Sequence, residues 1–351
     1  MEFSQFLGYL KSEYSLEALH NTVPAWIDYR SWMRYPSEWR YIQYLVSISH
    51  SNGLPVGICF GYHVTGSVDA PENSPEGFLY YYKYLIPQRE KWKYPNGTIA
   101  SDPYTVGVSR SFTGALVISV LSEEQLGRRD FYAIMQPQNP YWEDFLIKWG
   151  RKAVDTGADF IFIDSPDAIF VFFGGGGWGC SDTWEGRGLI QYLNKTFSKE
   201  DLKQLGVDDL KNFCLREYLA KKYRIKEIHG SYINLRGKFK ASWPTENVEF
   251  ENVEEVLNDP IFKAAVIYWY KSALSFVKNV SENIRAYASS KGRKVAITSN
   301  EYFAWIPHIT LTPYMDVIYV EVNQFKPPPY QTNYVVSKMA QASGNYSKKY
   351  G

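Results

Sequence analysis

Long apolar runs, charge of one sign and cysteine are what this sequence has least of. No stretch approaches the roughly 18 uninterrupted apolar residues of a membrane-spanning helix, so none is expected. Lys and Arg number 38 against 37 Asp and Glu, a formal net charge of +1. So balanced a chain has no general attraction for nucleic acid or an anionic membrane. Its three cysteines, Cys59, Cys180 and Cys214, match neither a zinc motif nor a disulfide framework. Free thiols in a reducing, cytoplasmic compartment are therefore expected. The first residues, MEFSQFLGYLKSEYSLEAL, lack the basic start and apolar core of a secretory leader. No G-x-G-x-x-G and no G-x-x-x-x-G-K-[ST] follows an apolar run, which removes the common nucleotide-binding motifs. A Ser-His-Asp triad is set aside too, because no nucleophile elbow is present. No cofactor is expected.

Aromatic residues, in contrast, are abundant: 11 Trp, 29 Tyr and 20 Phe, or 17% of the chain. Most belong in a core. An excess of Trp and Tyr also suits stacking on sugar rings or bases, whose faces are apolar and edges polar. Without a basic surface, carbohydrate is the better partner of the two.

Short apolar runs alternate with helical patterns. Strands are expected near 25–29, 55–62, 131–136, 158–164, 294–299 and 316–321. Between them lie helix patterns at 36–53, 140–157 and 259–292, and another at 328–351. The first two open on Pro and close on Gly, as helices often do. Residues 113–122 read as a strand outside the main sheet, paired with 104–109 as a hairpin. The stretch 165–258 reads as an insertion holding a GGGGWG loop, helix around 185–223 and a basic patch at 221–240. That patch is expected to be a solvated helix face. Residues 1–22 form a polar extension.

Apolar runs this continuous suit parallel strands buried on both faces and covered by helices. Without nucleotide motifs, a (β/α)₈ TIM-type barrel is favoured over a doubly wound sheet. The expected organisation is an extension at 1–22 and a barrel over 23–351 with its insertion after the fourth strand. The chain stops at Lys-Lys-Tyr-Gly, so the barrel is expected to be truncated after its sixth or seventh βα unit.

Functional groups of a parallel barrel gather at the C-terminal ends of its strands. Here those ends are polar. The first carries Asp28 and Arg30, the second His63, the third Gln136 and Asn139. The fourth ends in Asp164, the fifth in Asn300 and Glu301, the sixth in Glu321 and Asn323. Trp178 and Trp305 lie in following loops. Each has an ordinary structural alternative: Asp164 suits an Asp-Ser-Pro turn, Asp28 and Arg30 suit a salt bridge, and the indoles suit packing. Glu321, inside the run VIYVEV, is costly unless paired or facing an open mouth. Taken as a ring, the residues fit glycoside hydrolysis. That reaction needs one protonated carboxyl group for the leaving oxygen and one ionised as nucleophile or base. Like charges close together raise one pKa and so supply the protonated partner. A divalent-metal hydrolase could use the same three acids, but no tight Asp-x-Asp or His-x-His spacing supports it, and no metal is expected. A carbohydrate-binding barrel without catalysis is the remaining alternative.

The segment NPYWEDFLIKWGRKAVDTGADFIFIDSP resembles the third-helix-to-fourth-strand region of TIM-barrel glycoside hydrolases, especially β-galactosidase-like and amylase-like groups. VAITSNEYFAW and DVIYVEVNQ resemble their fifth and sixth strands. The resemblance covers roughly residues 131–351 and reaches no specific family. It implies Asp164 as a catalytic carboxylate, the nucleophile in amylase-like members, with Glu301 as acid/base partner. Glu321 is implied as a third acid or a substrate contact. By the same analogy, retention of configuration is favoured over inversion.

Overall fold

The computed structural model describes residues 36–61, 81–121, 130–164, 177–235, 239–242, 246–301 and 314–320, together with Gln5. Along the chain these form α1 (Pro36–Ser51), β1 (Gly57–Gly61), α2 (Pro103–Gly107), β2 (Leu116–Leu121), β3 (Asp130–Ala133), α3 (Pro140–Asp155) and β4 (Phe160–Asp164). Then come α4 (Trp184–Thr196), α5 (Lys199–Gln204), α6 (Leu215–Lys222), β5 (Ile225–His229), β6 (Tyr232–Leu235), β7 (Phe239–Ser242) and β8 (Asn247–Phe250). The last are α7 (Val253–Asn258), α8 (Pro260–Ser290), β9 (Ala296–Glu301) and β10 (Val317–Val320). The chain divides into two compact units. One comprises residues 1–62, 144–167 and 277–351, the other residues 63–143 and 168–276.

The first unit is built on a parallel sheet of order β1-β4-β9-β10. Ile58, Ile161, Ile163 and Ile297 are buried, and so are their alternating neighbours Phe160, Phe162 and Thr298. Burial on both faces is why these strands read as continuous apolar runs rather than alternating ones. Two aspartates fasten the strands where they begin. The Asp159 carboxylate accepts the Val56 N–H at 2.8 Å, and that of Asp316 accepts the Ile297 N–H at 2.7 Å. Helix α1 buries Ile42, Leu45, Val46 and Ser49, one stripe at helical spacing, and ends at Gly53 with φ 66°. Gly150 of α3 lets Ile284 of α8 come so near that any Cβ there would collide with it. Arg293 donates to the carbonyls of Val154, Gly157 (2.6 Å) and Ala158 (2.8 Å), satisfying backbone left open after α3.

The second unit has a mixed sheet of order β3-β2-β7-β6 and a separate β5–β8 ribbon. Its core is a cluster including Trp178, Leu189, Leu193, Leu215, Leu219, Phe262 and Trp269. Helix α8 starts at Asp259, whose carboxylate accepts the N–H groups of Ile261 and Phe262. Such caps satisfy donors that helix geometry leaves open. Burial works to raise the Asp259 pKa. Hydrogen bonds from Lys222, Phe262, Tyr223 and Tyr218 outweigh it and hold the group below the usual carboxylate range.

Several expectations are corrected. Where a barrel was expected, the described residues form a sheet of four parallel strands and no closed barrel. The strand expected at 131–136 begins at Asp130 and pairs antiparallel with β2 in the other unit. A run as short as FYAI carries no information on direction. Strand β2 does lie outside the parallel sheet, but of its expected hairpin partner 104–109 only the end meets it: the Ser109 carbonyl accepts the Val117 N–H at 3.0 Å, beside an antiparallel bridge between Arg110 and Leu116, while 103–107 is helix. Asp102 caps α2 there by accepting the Tyr104 N–H, with Pro103 at the first helical position. The basic patch at 221–240 is largely strand, because Lys226 and Arg224 find partners in Glu249 and Glu251 across the β5–β8 ribbon. Cys180 and Cys214 are joined in a disulfide. They lie 34 residues apart, and helix packing rather than sequence spacing brings them together. The cysteine count therefore gives no ground for expecting a reducing compartment. The expected strand at 25–29 and helix at 328–351 lie outside the described residues.

Candidate active site

The parallel sheet brings its strand ends to one edge. Gly61 of β1 stands in register with Asp164 of β4. Ile163 is in register with Ser299 of β9, and Glu301 with Val320 of β10. Asp164 and Glu301 therefore each close one of two adjacent strands, at the C-terminal edge, with Asn300 preceding Glu301. Neighbouring strands run about 4.8 Å apart; by this register Asp164 is level with Asn300, and Glu301 lies one residue further along the same edge. Glu321, Asn323, Asp28, Arg30, His63 and Trp305 lie outside the described residues.

Three other expected site residues belong to the second unit and are buried there. Gln136 has no exposed surface. Its amide nitrogen donates to the Val108 carbonyl at 2.8 Å, and its oxygen accepts the Glu185 N–H at 3.1 Å. Asn139 accepts the Tyr141 N–H at 2.9 Å, capping α3, and donates to Val106. Both amides serve the backbone. Trp178 is 5% exposed. It packs edge-on against Phe112 and Trp269 and stacks on Phe262, with centroids 5.1, 5.4 and 6.3 Å away. An indole covered on this many sides is part of the core and offers no open face to a ring.

Sequence reasoning passed over two buried acids of the second unit. Glu185, 1% exposed in the first turn of α4, accepts the Ser109 hydroxyl at 3.0 Å and the Arg110 N–H at 2.9 Å. Burial pushes its pKa up to about 7, against the lowering effect of hydrogen bonds from Arg110, Ser109 and Gly179 and of the Arg110 charge. Glu246 has no exposed surface and accepts the Ser111 hydroxyl at 2.9 Å, the Thr113 N–H at 2.9 Å and the Thr113 hydroxyl. The two carboxylates thus grip successive residues of one segment, 109–113. Glu185 had one signal in the sequence, the Thr183 cap that starts its helix. A cap position does not foretell burial, and nothing around Glu246 does either.

No protein-family model matches the sequence, and no curated protein matches it. Among the solved structures that match are two β-galactosidases. The β-galactosidase from Bacillus circulans sp. alkalophilus superposes with a TM-score of 0.50 at 9% identity, over 97% of this chain and 41% of that one. The β-galactosidase from the psychrophilic Marinomonas ef1 gives a TM-score of 0.47 at 11% identity, over 92% of this chain and 39% of that one. The chain thus spans about two-fifths of the length of either. The likeness is one of fold and points to no specific family.

Proposed function

We propose that this chain carries the carboxylate centre of a glycoside hydrolase, on a parallel sheet belonging to a (β/α)₈ barrel. The observation that carries the reading is the register that ends adjacent strands on Asp164 and Glu301 at the C-terminal edge. The fold likeness to a β-galactosidase supports it, as analogy only. In this reading Asp164 is the nucleophile and Glu301 the acid/base. Attack by one carboxylate on the anomeric carbon accompanies proton donation by the other to the leaving oxygen, and water then cleaves the glycosyl-enzyme with retention. Glu321 is a third acid or a substrate contact. Asn300 and Asn323, with Asp28, Arg30, His63 and Trp305, would hold hydroxyls and a ring face. No cofactor or metal enters the scheme, and no helix among the described residues is long and apolar enough to cross a membrane.

The test is hydrolysis of nitrophenyl glycosides, a β-galactoside first, by wild type and by Asp164→Asn, Glu301→Gln and Glu321→Gln. Loss of an acid/base or nucleophile should lower kcat on the order of 10³-fold or more, while folding is unchanged. Azide should restore turnover to Asp164→Asn as a glycosyl azide. Turnover that survives all three substitutions would remove the assignment. Sugar binding without turnover in wild type would favour the non-catalytic barrel, and loss of turnover on chelation would favour the metal-assisted alternative.

A further inference from the structure

The disulfide lies where two features of the second unit meet. Cys214 is the N-cap residue of α6, buried, and its side chain makes no capping hydrogen bond. Cys180 is half-buried, and its backbone carbonyl accepts the Thr183 N–H and hydroxyl, both at 2.9 Å, so it forms the turn that starts α4. Its neighbour Gly179 donates its N–H to Glu185. Beside Cys214 is a cavity of about 180 Å³, also lined by Asp208, Asp209, Glu217, Tyr218 and Lys221.

These positions make the two sulfurs chemically unequal. An incoming thiolate reaches the half-buried Cys180 more readily than the buried Cys214. As a leaving group Cys214 is favoured, because a thiolate at a helix N-terminus is stabilised by the open N–H groups and the helix dipole. A sulfur that leaves as a more stable thiolate leaves faster. The cavity gives it room. The Glu217 carboxylate, which lies within 4.8 Å of the sulfurs, opposes this charge, and Lys221 on the cavity wall offsets it.

We propose that the Cys180–Cys214 disulfide is a thiol-operated catch, whose reduction begins at Cys180 and releases the grip of Glu185 on Ser109 and Arg110. The partner is a thiol reductant, either a small monothiol or a protein dithiol. Its thiolate forms a bond to the Cys180 sulfur as the Cys180–Cys214 bond breaks, and the electron pair leaves on Cys214. A second thiolate attacks the reductant's own sulfur in the mixed disulfide and frees Cys180. Overall, two thiols are oxidised to one disulfide and the protein gains two thiols. Without the cross-link, the turn from Gly179 to Thr183 is no longer tied to α6. Glu185 then loses the Gly179 N–H that helps to hold it. Glu246 grips the same segment from a chain position remote from either cysteine, and so serves as an internal reference.

The experiment treats the folded protein with a small monothiol, quenches with an alkylating agent and maps both cysteines by mass spectrometry. The expected first product carries the monothiol on Cys180 and the alkyl group on Cys214. A monothiol on Cys214, or no reaction until the protein is denatured, would overturn the proposal. Residue-resolved amide exchange then compares oxidised and reduced protein. The Arg110 amide, bonded to Glu185, should exchange about tenfold faster or more after reduction, and the Thr113 amide, bonded to Glu246, should not change. Equal acceleration at both, or none at Arg110, would reduce the disulfide to a passive staple. Cys214→Ser should reproduce the reduced exchange pattern without any reductant. If that variant does not fold, the reduced wild type decides.

Discussion

At the scale of single residues, Glu185 carries the clearest consequence of burial. Its pKa rises from 4.5 to about 7 on folding. Below pH 4.5 the folded and unfolded chains both hold the proton. Between pH 4.5 and 7 only the folded chain does, so the contribution of Glu185 to stability falls as pH rises through this window and levels off above it. Glu185→Gln remains neutral throughout. Its amide oxygen can accept the Arg110 N–H, while the Ser109 hydroxyl turns to accept from its nitrogen. The variant should therefore gain on wild type by on the order of 3 kcal/mol across the window. Denaturant titrations at a series of pH values check this, and parallel curves for the two proteins would refute it. None of this could be read from the sequence, where Thr-Trp-Glu-Gly looks like an ordinary helix start. That β4 ends at Asp164 and β9 at Glu301 was legible because each strand opens on an apolar run, a local signal. Gln136 and Trp178 were legible as polar or aromatic, but their burial depends on partners as remote as Glu185 and Trp269.

Among elements, α3 and α8 meet at Gly150. A methyl group there would collide with Ile284, so Gly150→Ala should cost about 1–3 kcal/mol despite the better helix propensity of alanine. Ile284→Ala in the same chain should recover part of the loss, since it removes the blocking atoms. Strictly additive effects in that double-mutant cycle would show that the two side chains do not meet. These helices were legible nearly to the residue: 140–157 was expected for α3 and 259–292 for α8. Pro at the start, Gly beyond the end and a sustained apolar stripe all agree there. Strands β4, β9 and β10 were legible for a related reason, each containing or adjoining a continuous apolar run. Strand β3 was legible as a strand but not in its pairing, since four residues fix neither direction nor neighbour. The β5–β8 ribbon was lost because its charges pair across strands, a pattern that looks like a solvated helix until the strands are paired.

For the whole molecule, two compact units predict more than one unfolding transition. The disulfide belongs to the second unit and spans 34 residues. On a chain-entropy estimate, Cys180→Ala with Cys214→Ala should lower the stability of that unit by about 3–4 kcal/mol. The transition of the parallel sheet should stay in place. Denaturation followed by tryptophan fluorescence and by backbone circular dichroism checks this. A single transition that moves as one would mean that the units unfold together.

The parallel sheet also sets a timetable. Gly57 of β1 pairs with Phe160, and Phe160 in turn with Ala296. Each partner is made more than a hundred residues after the strand it joins. At a ribosomal pace of about 5–20 residues per second, β1 waits several seconds for β4, and β4 waits longer for β9. For that interval an apolar strand edge is open to pairing with another chain. The second unit has all of its sequence between β1 and β9, so its residues emerge while the sheet is still incomplete. The yield of folded protein should then depend on how fast the chain is made and how crowded its neighbours are.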